Sequence, residues 1–331
     1  MDHLSTFQPP DLSDQRVLRV VAGLRPCRRG GLRLEPEPVG SKVVVHNYGH
    51  GGCGITLSMG TAIAAADLVD QCSSSSDPVA VLGAGIVGLT TARELALRGR
   101  RVRIYASKIG HETLSMLAGA LFLPVGIDLE HPDIGKQRFR SILHTSKASL
   151  QKLDPLRFGV ENLTVFEPAY AHDDERYFDN GTIDQPVLHD RLPIPGPPRC
   201  GHSFETLFIH TPMMLSALIE DLNDLDVQIV EQSFRDTEDL AKLDESVLIN
   251  CTALGSRRLF HDQSIYPARG VLVHLEPQQL GYAIHDGFKY MFPRKDALIL
   301  GGVFDENVWD ETPDEQIAQD ILTHHRRFFA V

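Results

Sequence analysis

No stretch of the 331 residues is apolar for long enough to cross a bilayer, and Met1–Leu12 carries no signal-peptide pattern. A chain without a membrane partner is expected. Cysteine is scarce: Cys27, Cys53, Cys72, Cys200 and Cys251 make an odd count with no C-x-x-C pair. That excludes a disulfide or zinc framework and predicts free thiols in a reducing, cytoplasmic compartment. Phe328–Val331 lacks a peroxisomal Ser-Lys-Leu type signal. Basic residues are outnumbered, 32 against 44 acidic, and the net charge of −12 argues against a nucleic-acid groove. What is present is ordinary for a globular protein, 42% hydrophobic and 23% charged, at a length that suits one large or two modest domains.

The chain is organised around Val79–Ser107. The β-branched run Val79–Leu82 leads into Gly83, Gly85 and Gly88 in G-x-G-x-x-G spacing, then a helix over Thr90–Leu97 and a second strand over Arg101–Tyr105. A dinucleotide phosphate site needs this order. Gly83 makes the tight turn, Gly85 admits the pyrophosphate to the backbone, and Gly88 lets helix and strand pack closely. The helix N-terminus, with Ile86 and Val87, offers free N–H groups and a favourable dipole end. The plain alternative is an ordinary βα turn. The second strand should end in an acid that holds a ribose hydroxyl, but Ser107 and Lys108 stand there. Ser107 either hydrogen-bonds the ribose without charge or is a turn residue.

A second strand–glycine–helix unit runs from Lys42–Asn47 through His46-Asn47-Tyr48-Gly49-His50-Gly51-Gly52-Cys53-Gly54-Ile55-Thr56 into a helix over Met59–Val69. It too can offer backbone N–H groups to an anion. His46 and His50 are four apart in a strand and glycine loop, which is not a metal-binding arrangement. Cys53 reads as a small packing residue. Gln71–Asp77 is a polar linker. Further strands are expected at Val17–Val21, Val227–Val230, Val247–Asn250, Arg269–Leu275, Tyr290–Pro293 and Ala297–Val303, and further helices at Lys136–Leu153, Pro212–Leu222 and Pro313–Phe329. Asn162–Pro198 is proline-rich, with an acidic cluster at Asp173–Glu175.

Several pieces together resemble the flavin-dependent D-amino-acid oxidases and D-aspartate oxidases: VLGAGIVGL, LAGALFLP, LINCTALGS, PARGVLV, YMFPR, LILGGVF, GLRP with RLE, and HNYGHGGCGIT. They span nearly the whole chain. In that family the glycine fingerprint opens the chain and GLRP and HNYGHGG close it. Here Arg16–Gln71 comes first and the Ser-rich linker joins it to the fingerprint, so the sequence reads as a circular permutant; a tandem fragment is the alternative. Chain termini of a domain often lie close together, which permits this. The fold implied is an α/β flavoprotein with a Rossmann-type FAD domain, residues 38–122 plus 206–258. It is interleaved with a mostly antiparallel substrate sheet, residues 1–37, 123–205 and 259–331, with linker 71–77.

By resemblance, the cofactor is FAD, and Arg25 binds the substrate carboxylate with help from the hydroxyl of Tyr290. A guanidinium suits a carboxylate because it is always charged and bidentate. A surface arginine and a core tyrosine are the bland readings. Gly51, Gly52, Gly54, Ile55 and Thr56 match the loop over the flavin, with the Gly52 carbonyl toward the substrate amine. Ala118, Gly119 and Leu121 match the segment along the flavin, and Cys251 and Thr252 a strand end beside it. The implied reaction moves a hydride from Cα of a D-amino acid to flavin N5. Imino acid, then keto acid and ammonia follow, and O2 becomes hydrogen peroxide. No side-chain base is nominated. A lid tyrosine is missing: His285-Asp286-Gly287-Phe288 occupies that stretch, as exposed loop residues or as a pocket edge favouring a polar or basic side chain. The rival readings are D-aspartate, glycine or a specialised amine or imine as substrate, a retired binding module, and a nicotinamide dehydrogenase. The implied partners are a small amino acid and O2, and a homodimer is compatible.

Overall fold

The first long strand carries GLRP. β1 (Val17–Arg28) pairs antiparallel with β11 (Ile265–Leu275), with Arg25 opposite Ala268. A computed structural model describes residues 7–128, 133–168 and 178–331, and the cluster Asp173–Glu175 lies outside them. After β1 come β2 (Arg33–Val39), β3 (Lys42–Tyr48), α1 (Gly54–Cys72), β4 (Val79–Leu82), α2 (Ile86–Leu97) and β5 (Val102–Ala106). The middle of the chain holds α3 (Leu114–Leu117), α4 (Lys136–Leu150), α5 (Pro155–Phe158), β6 (Val160–Pro168), β7 (Val187–His189), β8 (Gly201–Ile209), α6 (Thr211–Asp224), β9 (Gln228–Glu231), α7 (Thr237–Ala241), β10 (Val247–Asn250) and α8 (Ser256–Leu259). Past β11 follow β12 (Tyr282–Asp286), β13 (Lys289–Pro293), β14 (Leu298–Leu300), β15 (Asp305–Glu306) and α9 (Glu315–Phe329).

Two sheets result, and the architecture is the expected mixed α/β one. The six-stranded sheet runs β2-β3-β10-β4-β5-β9, parallel except for the β2–β3 hairpin. Its central strands β4 and β10 are buried at every position, as parallel strands covered on both faces must be. The other sheet runs β1-β11-β14-β13-β12-β6-β8-β7, with β15 beside β11; all its pairs are antiparallel except β12–β6.

The elements differ from the expected ones at their margins. Helix α1 begins at Gly54 and reaches Cys72, so the polar connection starts only at Ser73. β2 joins the six-stranded sheet and crosses the boundary expected at residue 38. Its Pro36 and Pro38 fit because it is an edge strand, where a missing N–H costs no ladder bond. The core on the six-stranded sheet also takes in Phe139, Ile142, Leu143 and Leu150 of α4, placed by sequence with the substrate part. Leu12 packs against the last helix: Arg326 donates to the Leu12 carbonyl at 2.6 and 2.9 Å, and Leu12 shares a core with Phe328 and Phe329.

Candidate active site

The turn after β4 is built as the glycine spacing requires. Gly83 has φ +113°, and a Cβ there would stand 2.5 Å from the Cys251 carbonyl. A Cβ on Gly88 would overlap the Gly83 carbonyl oxygen, so α2 can lie on the strand only with glycine there. Gly85 is the N-cap of α2. The first-turn N–H groups of Val87 and Gly88 have no intrahelical acceptor, while the Ile86 N–H donates to Ser115 Oγ at 3.0 Å. Ser115 carried no sequence signal; the fold brings it to this helix end from α3.

This turn faces a cavity of about 1380 Å3 that runs between the two sheets. Every residue assigned from the sequence to the cofactor or to the substrate carboxylate lines it. Gly83 to Gly88, Ser107, Lys108 and Thr252 stand at the end formed by β4, β5 and β10. Ser107 and Lys108 are exposed, and Lys108 Nζ lies 3.9 Å from Glu311, another lining residue. Gly51, Gly52, Gly54, Ile55 and Thr56 form the mid-section with Ala118, Gly119 and Leu121. The Gly52 N–H donates to Gly126 O at 2.8 Å. Thr56 is buried, and its hydroxyl is spent on the backbone of Leu121 and Leu123. It therefore serves the site by fixing that segment. Thr252 Oγ1 is likewise tied to Asn250 Oδ1, at 2.7 Å.

Arg25 and Tyr290 line the cavity from the other sheet. The Arg25 guanidinium lies over Gly270, where a Cβ would collide with it, and the Tyr290 ring lies over Gly301 in the same way. Nη1 of Arg25 donates to the Val303 carbonyl at 3.1 Å, and its Cζ stands 5.6 Å from the Phe304 ring centre. Among the described residues no carboxylate comes within ion-pair distance of this half-buried cation. Nearby arginines differ: Arg28 binds Asp262 at 2.8 Å, and Arg33 binds Glu35 at 2.7 Å. A guanidinium without a carboxylate partner on a cavity wall is chemically suited to an anionic ligand. Tyr290 stacks on Phe292 at 4.4 Å, and its hydroxyl has no partner among the described residues.

The reading of His285 and Asp286 as exposed loop residues is corrected. Both belong to β12, His285 is 8% exposed, and it lines the cavity directly opposite Tyr290. Its Nδ1 is held by Glu167 of β6. Asp286 is turned away, 3.3 Å from His324. Phe288, half exposed, stacks on Phe304 at 5.1 Å beside Arg25, where a lid tyrosine was expected.

His46 and His50 are structural, and no cysteine is placed for chemistry. Burial holds His46 near pKa 4, with Nε2 2.7 Å from Glu37, and His50 near 3, with Nε2 3.1 Å from Thr61 Oγ1. No group of side chains fit to hold a metal occurs among the described residues. All five cysteines are free. Cys53 donates to the Val125 carbonyl, and burial pushes its thiol up, away from a reactive thiolate. Arg294, quoted in YMFPR without a role, is fully buried. It donates to the carbonyls of Met116 and Ala118 at 2.9 and 2.8 Å and to Thr211 Oγ1 at 2.9 Å, fixing the segment beside Gly119.

A glycine cradle at a helix start, a long cavity and a guanidinium without a carboxylate partner on its wall together fit an extended dinucleotide cofactor with an anionic substrate beyond it. Comparison with known proteins agrees. Residues 78–331 match the family model described as FAD dependent oxidoreductase. A D-amino-acid oxidase of Streptomyces coelicolor is 28% identical over 274 residues, 74% of this chain and 75% of its own. The human D-aspartate oxidase is 26% identical over 254 residues, 74% of each chain. Among solved structures, a glycine oxidase from Geobacillus kaustophilus superposes with a TM-score of 0.58 at 14% identity, covering 77% of this chain and 78% of that one. That likeness speaks for the fold.

Proposed function

Because this chain belongs to the FAD-dependent oxidoreductase family, we propose that it is an oxidase of D-amino acids, with Arg25 and Tyr290 as the carboxylate clamp. The observation that carries the reading is the half-buried Arg25 guanidinium with no carboxylate of its own among the described residues, beside a free phenol hydroxyl. An α-carboxylate supplies the missing counter-charge and accepts from both groups.

In this reading the six-stranded sheet holds the cofactor and the other sheet the substrate. The N–H groups of Val87 and Gly88 would hold the pyrophosphate and Ser107 the ribose. Gly51, Gly52, Gly54 and Ile55, with Ala118, Gly119 and Leu121, would hold the ring system. FAD, when bound, would supply the two-electron acceptor, with O2 as the final oxidant and hydrogen peroxide as its product. The protein's part is placement. Arg25 and Tyr290 fix the carboxylate, which turns the Cα–H toward the cofactor, and the Gly52 carbonyl accepts from the amine. Phe288, Phe304 and Phe292 wall the clamp with apolar surface and strengthen its charge pairing by excluding water. No side-chain base is assigned. The product is the imino acid, which water converts to keto acid and ammonia.

Arg25→Ala tests this. The variant should keep FAD and raise KM for any amino-acid substrate at least about thirty-fold, the loss of a buried charge-pair donor. Arg25→Lys should recover only part of it, since a point charge replaces a fork. An unchanged KM in Arg25→Ala removes the clamp.

A further inference from the structure

Helix α9 packs against β11, β13 and β14 and buries a histidine there that the oxidase reading does not use. His325 is 0% exposed and is not one of the residues that line the cavity. Its Nε2 stands 3.3 Å from the carbonyl oxygen of Gly301. Its Nδ1 is buried with no hydrogen-bond partner among the described residues. A carbonyl can only accept, so Nε2 carries the proton and donates it. Burial pushes the pKa of this ring down to about 3, so the ring is neutral and makes this one bond. Gly301 is the residue beneath Tyr290. A Cβ there would fall on the ring carbon that bears the Tyr290 hydroxyl, and the Gly301 N–H donates to the Tyr290 carbonyl at 2.8 Å. Two residues on, the Val303 carbonyl accepts from Nη1 of Arg25 at 3.1 Å. The short segment 301–303 therefore lies under both members of the clamp, and α9 holds it from behind.

We propose that His325 is a positioning residue of the substrate clamp: by holding the Gly301 carbonyl it fixes the segment on which Tyr290 and Arg25 rest. This rests on the clamp reading above. The segment needs such a tie because it begins with two consecutive glycines, Gly301 and Gly302, which have the most backbone freedom to lose. The Gly301 N–H is spent on β13, so its carbonyl is the group left for an outside partner. A buried carbonyl without a donor is costly, and glycines let the chain turn to find another. That turn moves the bed of the Tyr290 ring and draws the Val303 carbonyl from Arg25. His325 touches neither substrate nor cofactor, so its whole effect passes through those two side chains.

The test reads the binding of butyrate, a plain carboxylate, to the FAD-loaded protein by the shift it causes in the flavin absorption bands. His325→Leu should weaken butyrate at least about fivefold, while the Kd for FAD stays within about threefold of wild type. His325→Gln, whose amide nitrogen reaches about as far as Nε2, should bind butyrate within about threefold of wild type. His325→Asn stops short of the carbonyl and serves if the leucine variant does not hold FAD. In turnover the loss should fall on KM, with kcat within about twofold. Added to Tyr290→Phe, which lacks the hydroxyl being placed, His325→Leu should cost less than it does alone. A purely structural role would lower Tm and leave butyrate binding by the FAD-loaded protein as it was. That result overturns the assignment, as do losses that multiply in full in the double variant or a glutamine variant no better than the leucine one. The clamp reading fails differently: Arg25→Ala would then leave butyrate binding unchanged.

Discussion

At the scale of single residues, Arg25 and Arg294 are two guanidiniums in contrasting settings. Half-buried Arg25 gives one nitrogen to the Val303 carbonyl and has no carboxylate partner among the described residues, whereas buried Arg294 spends its own on Met116, Ala118, Thr211 and Asp296. Arg294→Met should therefore cost about 3 kcal/mol or more, because buried carbonyls lose their donor, and lower Tm by roughly 4 °C or more in a thermal melt followed by circular dichroism. A shift below about 2 °C would show that the loops hold without it. Of these residues, Arg25 and Tyr290 were legible because each sits in a distinctive short motif. The settings of Arg294 and His285 were not. They depend on Thr211 and Glu167, which lie 83 and 118 residues away and meet them only in the fold.

At the scale of elements, legibility followed the periodicity. β4 and β10 lie where the β-branched runs put them, and α4, α6 and α9 where apolar spacing put them. β2 was missed because Pro36 and Pro38 speak against a strand until its edge position is known. β12 was missed because its last residues, His285 and Asp286, are polar, and the partners that make them tolerable inside a sheet are remote. The glycine turn was the most readable unit, since each glycine has a steric reason. Gly88→Ala should push α2 off the strand, because its Cβ would overlap the Gly83 carbonyl. The Kd for FAD in a flavin titration should rise at least about tenfold, about 1.4 kcal/mol. An unchanged Kd would mean that the phosphates bind elsewhere.

For the whole molecule, we propose that the order of segments is a circular permutation of the family fold. The family match starts at Pro78. The residues before it supply β1, β2, β3 and α1, which complete both sheets, and Arg326 holds Leu12 against the last helix. Joining Val331 to Met1 and opening the chain between Asp77 and Pro78 should leave a protein that binds FAD with a Kd within about threefold of the parent; one that cannot bind FAD would contradict this. The central claim is tested most directly by the visible absorption spectrum of the FAD-loaded protein under anaerobic conditions, as D-amino acids are added in turn. The account predicts flavin bands that bleach with one or more D-amino acids and return when O2 is admitted. Bands that bleach with no D-amino acid would contradict it.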